Sequence, residues 1–346
     1  MINSNLRSYP KVSIIIPTWN GLHLLKQSLD SVIVAKESYK GECEIIIIDN
    51  GSMDRTVDVL YDYYPSIIVE KLMTNMGFGY ACNRGAEISS GELILILNND
   101  VYVPEQIINE LVDTFQSVND VFSVCPETRL WDGNKLTDTV FSSAITFSYD
   151  DQGELIQHWM VQDGKNLLSG LSPTAYTTGA ITLIDKNKFL NLGGFDHIYG
   201  LAYWEDVDIC LKAWKRGWAS YCTNDSHAWH KISATSGNED DCSFKKRQMT
   251  LNYILLQLVH IDDTTTLISF IFQFFNFLSY LLKKGMFQQA LDLLSSIFKN
   301  KKNIINTRKL FNSQSTSVSD KKLVYHMQQL GWKSEPVLAK FMKNKK

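Results

Sequence analysis

The chain lacks the devices that define several common functional classes. Its six cysteines, Cys43, Cys82, Cys125, Cys210, Cys222 and Cys242, are scattered over 346 residues with no CxxC pair. That spacing argues against a zinc ribbon or a disulfide scaffold and for a reducing compartment. No GxGxxG loop and no Walker loop follows the early strands, which disfavours dinucleotide binding and P-loop phosphotransfer. The opening MINSNLRSYPKVSIIIP holds only a short apolar run before Pro17. It does not read as a signal peptide, so a cytoplasmic location is expected. Internal repeats and low-complexity tracts are absent. The longest uninterrupted apolar stretch, 267–282, contains Gln273 and Asn276 and falls short of the ~20 residues a spanning helix needs. A helix lying in a membrane interface, or one buried in a C-terminal bundle, fits it better.

What remains is an ordinary globular composition, 45% hydrophobic and 21% charged. The length suits one large domain or two modest ones. The net charge of −3 hides an asymmetry: from Lys283 onward fourteen Lys/Arg face three Asp/Glu, a net of +11, leaving −14 on the preceding residues. A basic tail on an acidic body suggests an anionic partner such as a membrane surface or a phosphate-bearing substrate, or simply a solvated helical tail.

Residues 12–16, 44–48, 67–71, 93–97 and 121–125 read as apolar strands. Helical spacing fills 22–34, 56–64, 78–88 and 104–116 between them. Continuous apolar strands alternating with amphipathic helices predict a mostly parallel sheet covered on both faces, doubly wound and Rossmann-like. Periodicity dissolves over 126–174, as in a lid or substrate-binding insertion. Strand character returns at 176–184, a loop runs into a helix over 201–214, and 245–261 is helical. The expected organisation is an α/β domain over 1–240, its halves about 10–125 and 126–240, followed by a helical, basic region over 241–346.

Four stretches fall where such a sheet gathers its strand ends. SIIIPTWNG (13–21) leaves a rigid loop with free amides and side-chain oxygens. EIIIIDNGSMDRT (44–56) delivers Asp49, a carboxylate able to accept hydrogen bonds from a base or ribose, with Asp54 suited to cap the next helix. In NMGFGYACNRG (75–85), Gly77 and its fellow glycines permit close backbone approach and Arg84 can meet a phosphate. In GELILILNNDV (91–101) an apolar strand ends in Asn98-Asn99-Asp100, oxygen-bearing side chains suited to a hard cation. The same three residues also make a good turn.

In that order these stretches resemble the donor half of glycosyltransferase family 2, inverting enzymes with a GT-A fold. YTTGAITLIDKNKFLNLGGFD (176–196) resembles the family's acceptor-side strand and helix, and WEDVDICLKAWKRGW (204–218) its ED motif. His227 and His230 fall where members place a late histidine. The resemblance covers about 12–237, and the LNNDV form is similar to rhamnosyltransferase-like members.

The resemblance implies a nucleotide-sugar donor, such as dTDP-rhamnose or a UDP-sugar, and a divalent cation, Mg²⁺ or Mn²⁺, bridging its diphosphate. It implies that Pro17, Thr18, Asn20 and Asp49 frame the nucleoside, that Asn98 and Asn99 approach the ribose side, and that Asp100 ligates the metal with His230 as candidate second ligand. Gly179 and Trp204 would line the acceptor side. The family's triplet often begins with Asp; Asn98 here leaves one carboxylate and a less anionic metal site.

The attacking hydroxyl must lose a proton, so a carboxylate is needed opposite the leaving group. Asp206 is the expected base, with Glu205 fixing the acceptor or supporting Asp206. Three acids in four residues would also serve the helix dipole. Tyr203, Trp204, Trp229 and Trp131 can stack on sugar rings or pack in the core. The expected acceptor is a glycan or lipid-linked intermediate of a surface polysaccharide, met at the membrane's inner face. The alternative is a catalytically silent nucleotide-sugar-binding or scaffolding protein of the same fold.

Overall fold

In a computed structural model of the chain, residues 8–312 are described, save 133, 150–154, 160, 163–164, 167–168, 232–238 and 262. The last residues of the family resemblance and the tail beyond 312 thus lie outside the described residues.

The first half alternates as its periodicity predicts: β1 (Val12–Thr18), α1 (Leu22–Glu37), β2 (Cys43–Asp49), α2 (Thr56–Tyr63), β3 (Ile68–Lys71), α3 (Phe78–Ile88) and β4 (Leu93–Leu97). A two-residue strand, β5 (Val101–Tyr102), precedes α4 (Ile107–Ser117) and the long β6 (Val121–Trp131). Then come β7 (Leu136–Ser142), β8 (Ile145–Tyr149), β9 (Leu155–Trp159), β10 (Val161–Gln162), β11 (Lys165–Asn166) and β12 (Leu171–Pro173). They are followed by β13 (Ile181–Asp185), α5 (Lys186–Asn191), a 3-10 turn (His197–Tyr199), α6 (Glu205–Lys215) and β14 (Ala219–His230). Three helices end the described chain: α7 (Glu239–His260), α8 (Thr264–Lys283) and α9 (Phe287–Asn312).

One mixed sheet organises the molecule, in the order β12-β14-β6-β13-β4-β1-β2-β3, with β5 on β14 and β7 on β6. The β4-β1-β2-β3 half is parallel throughout. Beyond it β13 runs antiparallel to both β4 and β6. Alternate residues of each central strand feed opposite cores, as the two-residue period of a strand requires. Ile15, Ile46, Ile94 and Ile96 join α3 and α6 on one face, while Val12, Ile14, Ile16, Ile45, Ile47 and Leu95 join α1 and α4 on the other. This burial on both faces explains why the strands read as unbroken apolar runs.

The segment over 126–174 is not irregular. β6 continues to Trp131 and β7 returns along it, and β8 pairs β9 as a separate ribbon. These strands lack a continuous apolar face, because exposed positions such as Leu136, Asp138 and Thr139 interrupt β7. That is why their period is hard to see.

Between 176 and 184 the strand proper begins only at Ile181. The preceding Thr177, Thr178 and Gly179 form a loop at its start.

The C-terminal helices are tied to the sheet domain. Leu255, Leu256 and Val259 of α7 and Ile304 of α9 join the core cluster that holds Ile15 and Ile96. A smaller cluster, with Ile254, Phe270, Leu278, Leu281, Ala290 and Leu293, binds α7, α8 and α9 to one another.

Helix α3 packs closely on β1 at Gly85, where a Cβ would collide with the Ile15 side chain. Gly85→Ala should therefore cost about 1–3 kcal/mol of overpacking despite alanine's better helix propensity. The check is a lower urea midpoint at unchanged slope. A neutral or stabilising effect would contradict this packing.

Candidate functional site

The carboxyl ends of β1 and β4 and the start of α6 open on one cleft of about 640 Å³. One wall carries Pro17, Thr18 and Trp19 after β1 and Asn98, Asn99 and Asp100 after β4. Thr178, Gly179, Tyr203, Trp204, Glu205, Asp206 and His230 line the same cleft.

The β4 turn is held by its surroundings. Asn98 N donates to Ala180 O at 2.8 Å, and Asn99 Nδ2 to Thr18 Oγ1 at 2.8 Å. Asn99 O accepts from Ser28 Oγ at 2.8 Å. Gly21 is required here because a Cβ would strike both Asn99 and Thr18. The chain then enters β5, whose Val101 pairs with His230 at the end of β14. That short ladder brings His230 Nε2 to 3.2 Å from Asp100 Oδ1. The oxygen is buried and makes no hydrogen bond of acceptable geometry.

Two donors this close but misaligned for a hydrogen bond suit neighbouring ligands of one cation. Ligands about 2.1 Å from a metal and at right angles lie about 3 Å apart. An oxygen and an imidazole fit Mn²⁺, and a site with few protein ligands suits a cation that also holds phosphates. Among the described residues no group of three or more His, Cys, Asp or Glu converges.

His227, the other late histidine, lies elsewhere. Three residues from His230, it takes the other face of the strand, with its ring 4.7 Å from that of Trp229, and it does not line the cleft. Burial lowers its pKa.

Asp49 ends β2 beside Thr18 and is fully buried, not lining the cleft. Its Oδ2 accepts from Ser52 N at 3.2 Å, while Oδ1 has no partner. Asn20, held at a positive φ of 49°, turns its amide to the neighbouring loop: Oδ1 accepts from Met53 N at 2.8 Å. It thus braces the 50–54 turn. Gly77, at φ 92°, permits a close approach, but the group that approaches is the chain's own Gly200 carbonyl. Arg84 also lies off the cleft, ion-paired to Glu70 and, at 3.0 Å, to Glu87. Those carboxylates, chiefly Glu70, hold its guanidinium pKa above the ordinary value. Reaching a phosphate would require breaking both pairs.

Tyr203 and Trp204, also in the lining, both adopt positive φ, 79° and 78°, just before α6 begins. Such backbone is unfavourable for bulky residues and persists where surroundings over-determine it. Here they do: Asn252 Nδ2 of α7 donates to the carbonyls of Tyr199, Ala202 and Tyr203 at 2.7, 3.0 and 2.9 Å. The Trp204 ring packs 5.3 Å from Tyr253.

Asp206 sits deep in the molecule with its carboxylate open to the cleft. Oδ2 accepts from Gly179 N at 3.1 Å and Oδ1 from Val207 N at 2.9 Å. Burial raises its pKa against those two bonds. Glu205 is more enclosed, and burial, then the Asp206 charge, pushes it up to about 8. The third acid, Asp208, is fully buried within α6. Lys212 Nζ lies 2.7 Å away, His260 Nε2 2.8 Å, and Tyr199 OH donates at 3.0 Å. Burial alone would raise Asp208, but Lys212 and His260 outweigh it and hold the carboxyl at about 2.

Four polar atoms around the cleft are buried without a partner: Asp100 Oδ1, Thr178 Oγ1, Trp204 Nε1 and Glu205 Oε2. Buried polar atoms without a hydrogen bond are uncommon, and four on residues lining one cleft suit a polar ligand there. Thr178, Asn252 and His260 escaped sequence reasoning. Polar residues inside the apolar helix LNYILLQLVH were the available signal for the last two.

The model of the glycosyl transferase family 2 matches residues 13–176. A glycosyltransferase of Rickettsia prowazekii is 34% identical over 207 residues, 59% of this chain and 58% of that protein. Residues 13–176 belong to glycosyltransferase family 2. The O-antigen biosynthesis protein RfbC of Myxococcus xanthus is 27% identical over 239 residues, 66% of this chain and 18% of that protein. The chain spans less than two thirds of the length of the curated relatives it matches first. Among solved structures, GalNAc-T7 with UDP, GalNAc and Mn²⁺ superposes with a TM-score of 0.57 at 16% identity, covering 74% of this chain and 49% of that one. The fold is therefore GT-A, followed by a C-terminal helical region.

The Glu205 carboxyl, near 8 folded and 4.5 unfolded, imposes a sign on stability. The unfolded state ionises first, so the stability conferred by the neutral group is complete below about pH 4.5 and lost as pH rises through 8. Glu205→Gln stays neutral throughout. Its melting temperature should gain on that of the native protein by roughly 5 °C between pH 4 and pH 9. A gap that does not change with pH would show that Glu205 is not held protonated.

Proposed function

We propose that this family 2 member is an inverting glycosyltransferase that moves a sugar from a nucleoside-diphosphate donor to a hydroxyl of a glycan or lipid-linked acceptor. The observation that carries the reading is that one cleft is lined by both the Asp100/His230 pair and Asp206.

The diphosphate would lie against the β4 turn, with Asp100 and His230 holding a divalent cation that neutralises charge on the departing phosphate. Thr18 and Asn99, already bonded to each other, would border the nucleoside. Asp49, one strand further in with an unsatisfied oxygen, would receive a base donor if the loop over it opens. Asn20 braces the 50–54 turn, while Gly77 and Arg84 are engaged with the chain's own Gly200, Glu70 and Glu87.

Asp206 lines the same cleft, its oxygens fixed by Gly179 N and Val207 N. As the acceptor oxygen bonds to the anomeric carbon, the bond from that carbon to the phosphate oxygen breaks. The electron pair leaves with the nucleoside diphosphate, and the hydroxyl proton passes to Asp206. The raised proton affinity of Asp206 makes it a better base than an exposed aspartate. A single displacement inverts the anomeric configuration. Glu205, protonated near neutrality, can donate a hydrogen bond to the acceptor and leaves Asp206 the charged member of the pair. Trp204 presents a ring face and an unsatisfied N–H, both suited to a sugar.

The acceptor assignment rests on the O-antigen relative and on the basic C-terminal region. For the donor, dTDP-rhamnose and UDP-sugars are the first to screen, by thermal stabilisation in the presence of Mn²⁺.

Asp206→Asn should lose about 10²–10⁴-fold in kcat while calorimetry with donor and Mn²⁺ still detects binding. Asp100→Ala should weaken the metal-dependent part of donor binding. Retained turnover in both variants would remove the mechanism. Metal-independent donor binding without turnover in the native protein would instead favour a silent binding protein.

A further inference from the structure

The C-terminal helices α8 and α9 each carry two apolar stripes. The inner ones, Phe270, Leu278 and Leu281 on α8 and Ala290, Leu293 and Ile304 on α9, are buried. The outer ones are open: Ile268, Ile271, Phe272 and Phe275 on α8 follow helical spacing, as do Phe287, Leu291, Leu294 and Phe298 on α9. Phe272 and Phe298 each leave 68% of their surface exposed, and Phe275 58%. Large apolar residues concentrated this way mark a surface that meets something else.

The charge around these stripes identifies the occupant. Lys283 and Lys284 end α8, and Lys299, Lys301, Lys302 and Lys309 lie exposed on α9. Asp292 is the one acidic residue of the described span 264–312. Lys301 Nζ stands 4.0 Å from the Phe298 ring centroid and Lys284 Nζ 5.9 Å from that of Tyr280. A lysine that lies along an aromatic ring can keep its ammonium at the headgroups while the ring enters the acyl boundary. A protein partner would need matched acids, whereas an anionic bilayer supplies negative charge and apolar depth everywhere along the pair.

We infer that the outer faces of α8 and α9 form a docking surface for an anionic lipid bilayer, with both helices lying in its interface. Among the described residues α8 is the one helix long and apolar enough to cross a membrane. Crossing would strip Phe270, Leu278 and Leu281 from their partners on α7 and α9. It would also take Gln273 and Asn276 into the hydrocarbon. Lying flat keeps the inner stripe in protein and gives the outer one to lipid.

The surface is joined to the cleft through α7. That helix shares the small core of α8 and α9 and, by Asn252, holds the backbone that delivers Trp204. A docked protein would thus hold its cleft at a set height above the lipid, where a membrane-anchored acceptor is presented. The lipid contact itself does not depend on what the cleft binds.

The test uses the full chain with vesicles of phosphatidylcholine alone or with phosphatidylglycerol. Native protein should float with the anionic vesicles, at least tenfold more than with neutral ones, and 0.5 M NaCl should weaken the association. Phe272→Ser/Phe275→Ser should reduce flotation at least tenfold, and Lys299→Gln/Lys301→Gln/Lys302→Gln should abolish the preference for anionic lipid. Both variants should keep the native circular dichroism spectrum and melting temperature, because the altered side chains are exposed. Equal flotation of native protein and the serine variant would overturn the inference. So would a native dimer that the serine variant splits without any lipid binding, which would assign the face to a second copy. Resistance to alkaline carbonate extraction would make α8 a span. Donor binding in the cleft, measured without lipid, should be the same in every variant, so loss of docking and loss of the proposed activity read out separately.

Discussion

The arrangement depends on a carboxylate that never meets the cleft. Asp208 has no solvent, and burying an isolated ionised carboxylate costs several kcal/mol. The charge is tolerable only because Lys212, His260 and Tyr199 surround it. Those partners come from α6 itself, from the end of α7 and from the turn before the cleft loop. Satisfying one charge therefore joins three segments. Among them they hold Glu205 and Asp206 on the first turn of α6 and Trp204 in a left-handed conformation that would otherwise relax. Removing one partner from such a cluster costs more than forming it gains, so the polar centre specifies geometry rather than adding stability.

That geometry produces the contrast in proton affinity within the ED helix. Three acids occupy the first turn, in nearly the same helix-dipole field. They diverge because of what each faces. Asp208 meets cations and stays ionised; Glu205 meets apolar neighbours and another acid and holds its proton; Asp206 meets two backbone amides and open space. A row of acids that only complements the dipole would require none of these differences.

Legibility in the sequence followed burial. Strands covered on both faces, β1, β2 and β4, were readable because their central positions form apolar runs, and the helices between them showed the expected period. The residues at their carboxyl ends could be located in advance because a doubly wound sheet collects strand ends. Two kinds of feature could not be read. Strands with one open face, such as β7, have no strong period, so the 126–174 segment looked structureless. Long-range partnerships were invisible as well: nothing near Arg84 announces that Glu70 lies fourteen residues back on the neighbouring strand, nor that Gly77 makes room for Gly200 rather than for a ligand. A glycine or an arginine in a loop advertises a capacity, and the tertiary structure decides what uses it.

The late histidine shows how far a pattern can be taken before geometry is needed. His227 and His230 are equivalent as residues near the end of a domain. They differ by three positions along a strand, an odd number, so they take opposite faces. The two-residue β5, too short to leave any periodic signal, pairs with only the last residues of β14 and selects His230. The cleft's candidate cation pair is thus set by the smallest strand of the main sheet. Its placement follows from the Asn98-Asn99-Asp100 turn, whose backbone leads straight into it. The same three residues that suggested a metal site from their oxygens also make the turn that brings Asp100 beside His230.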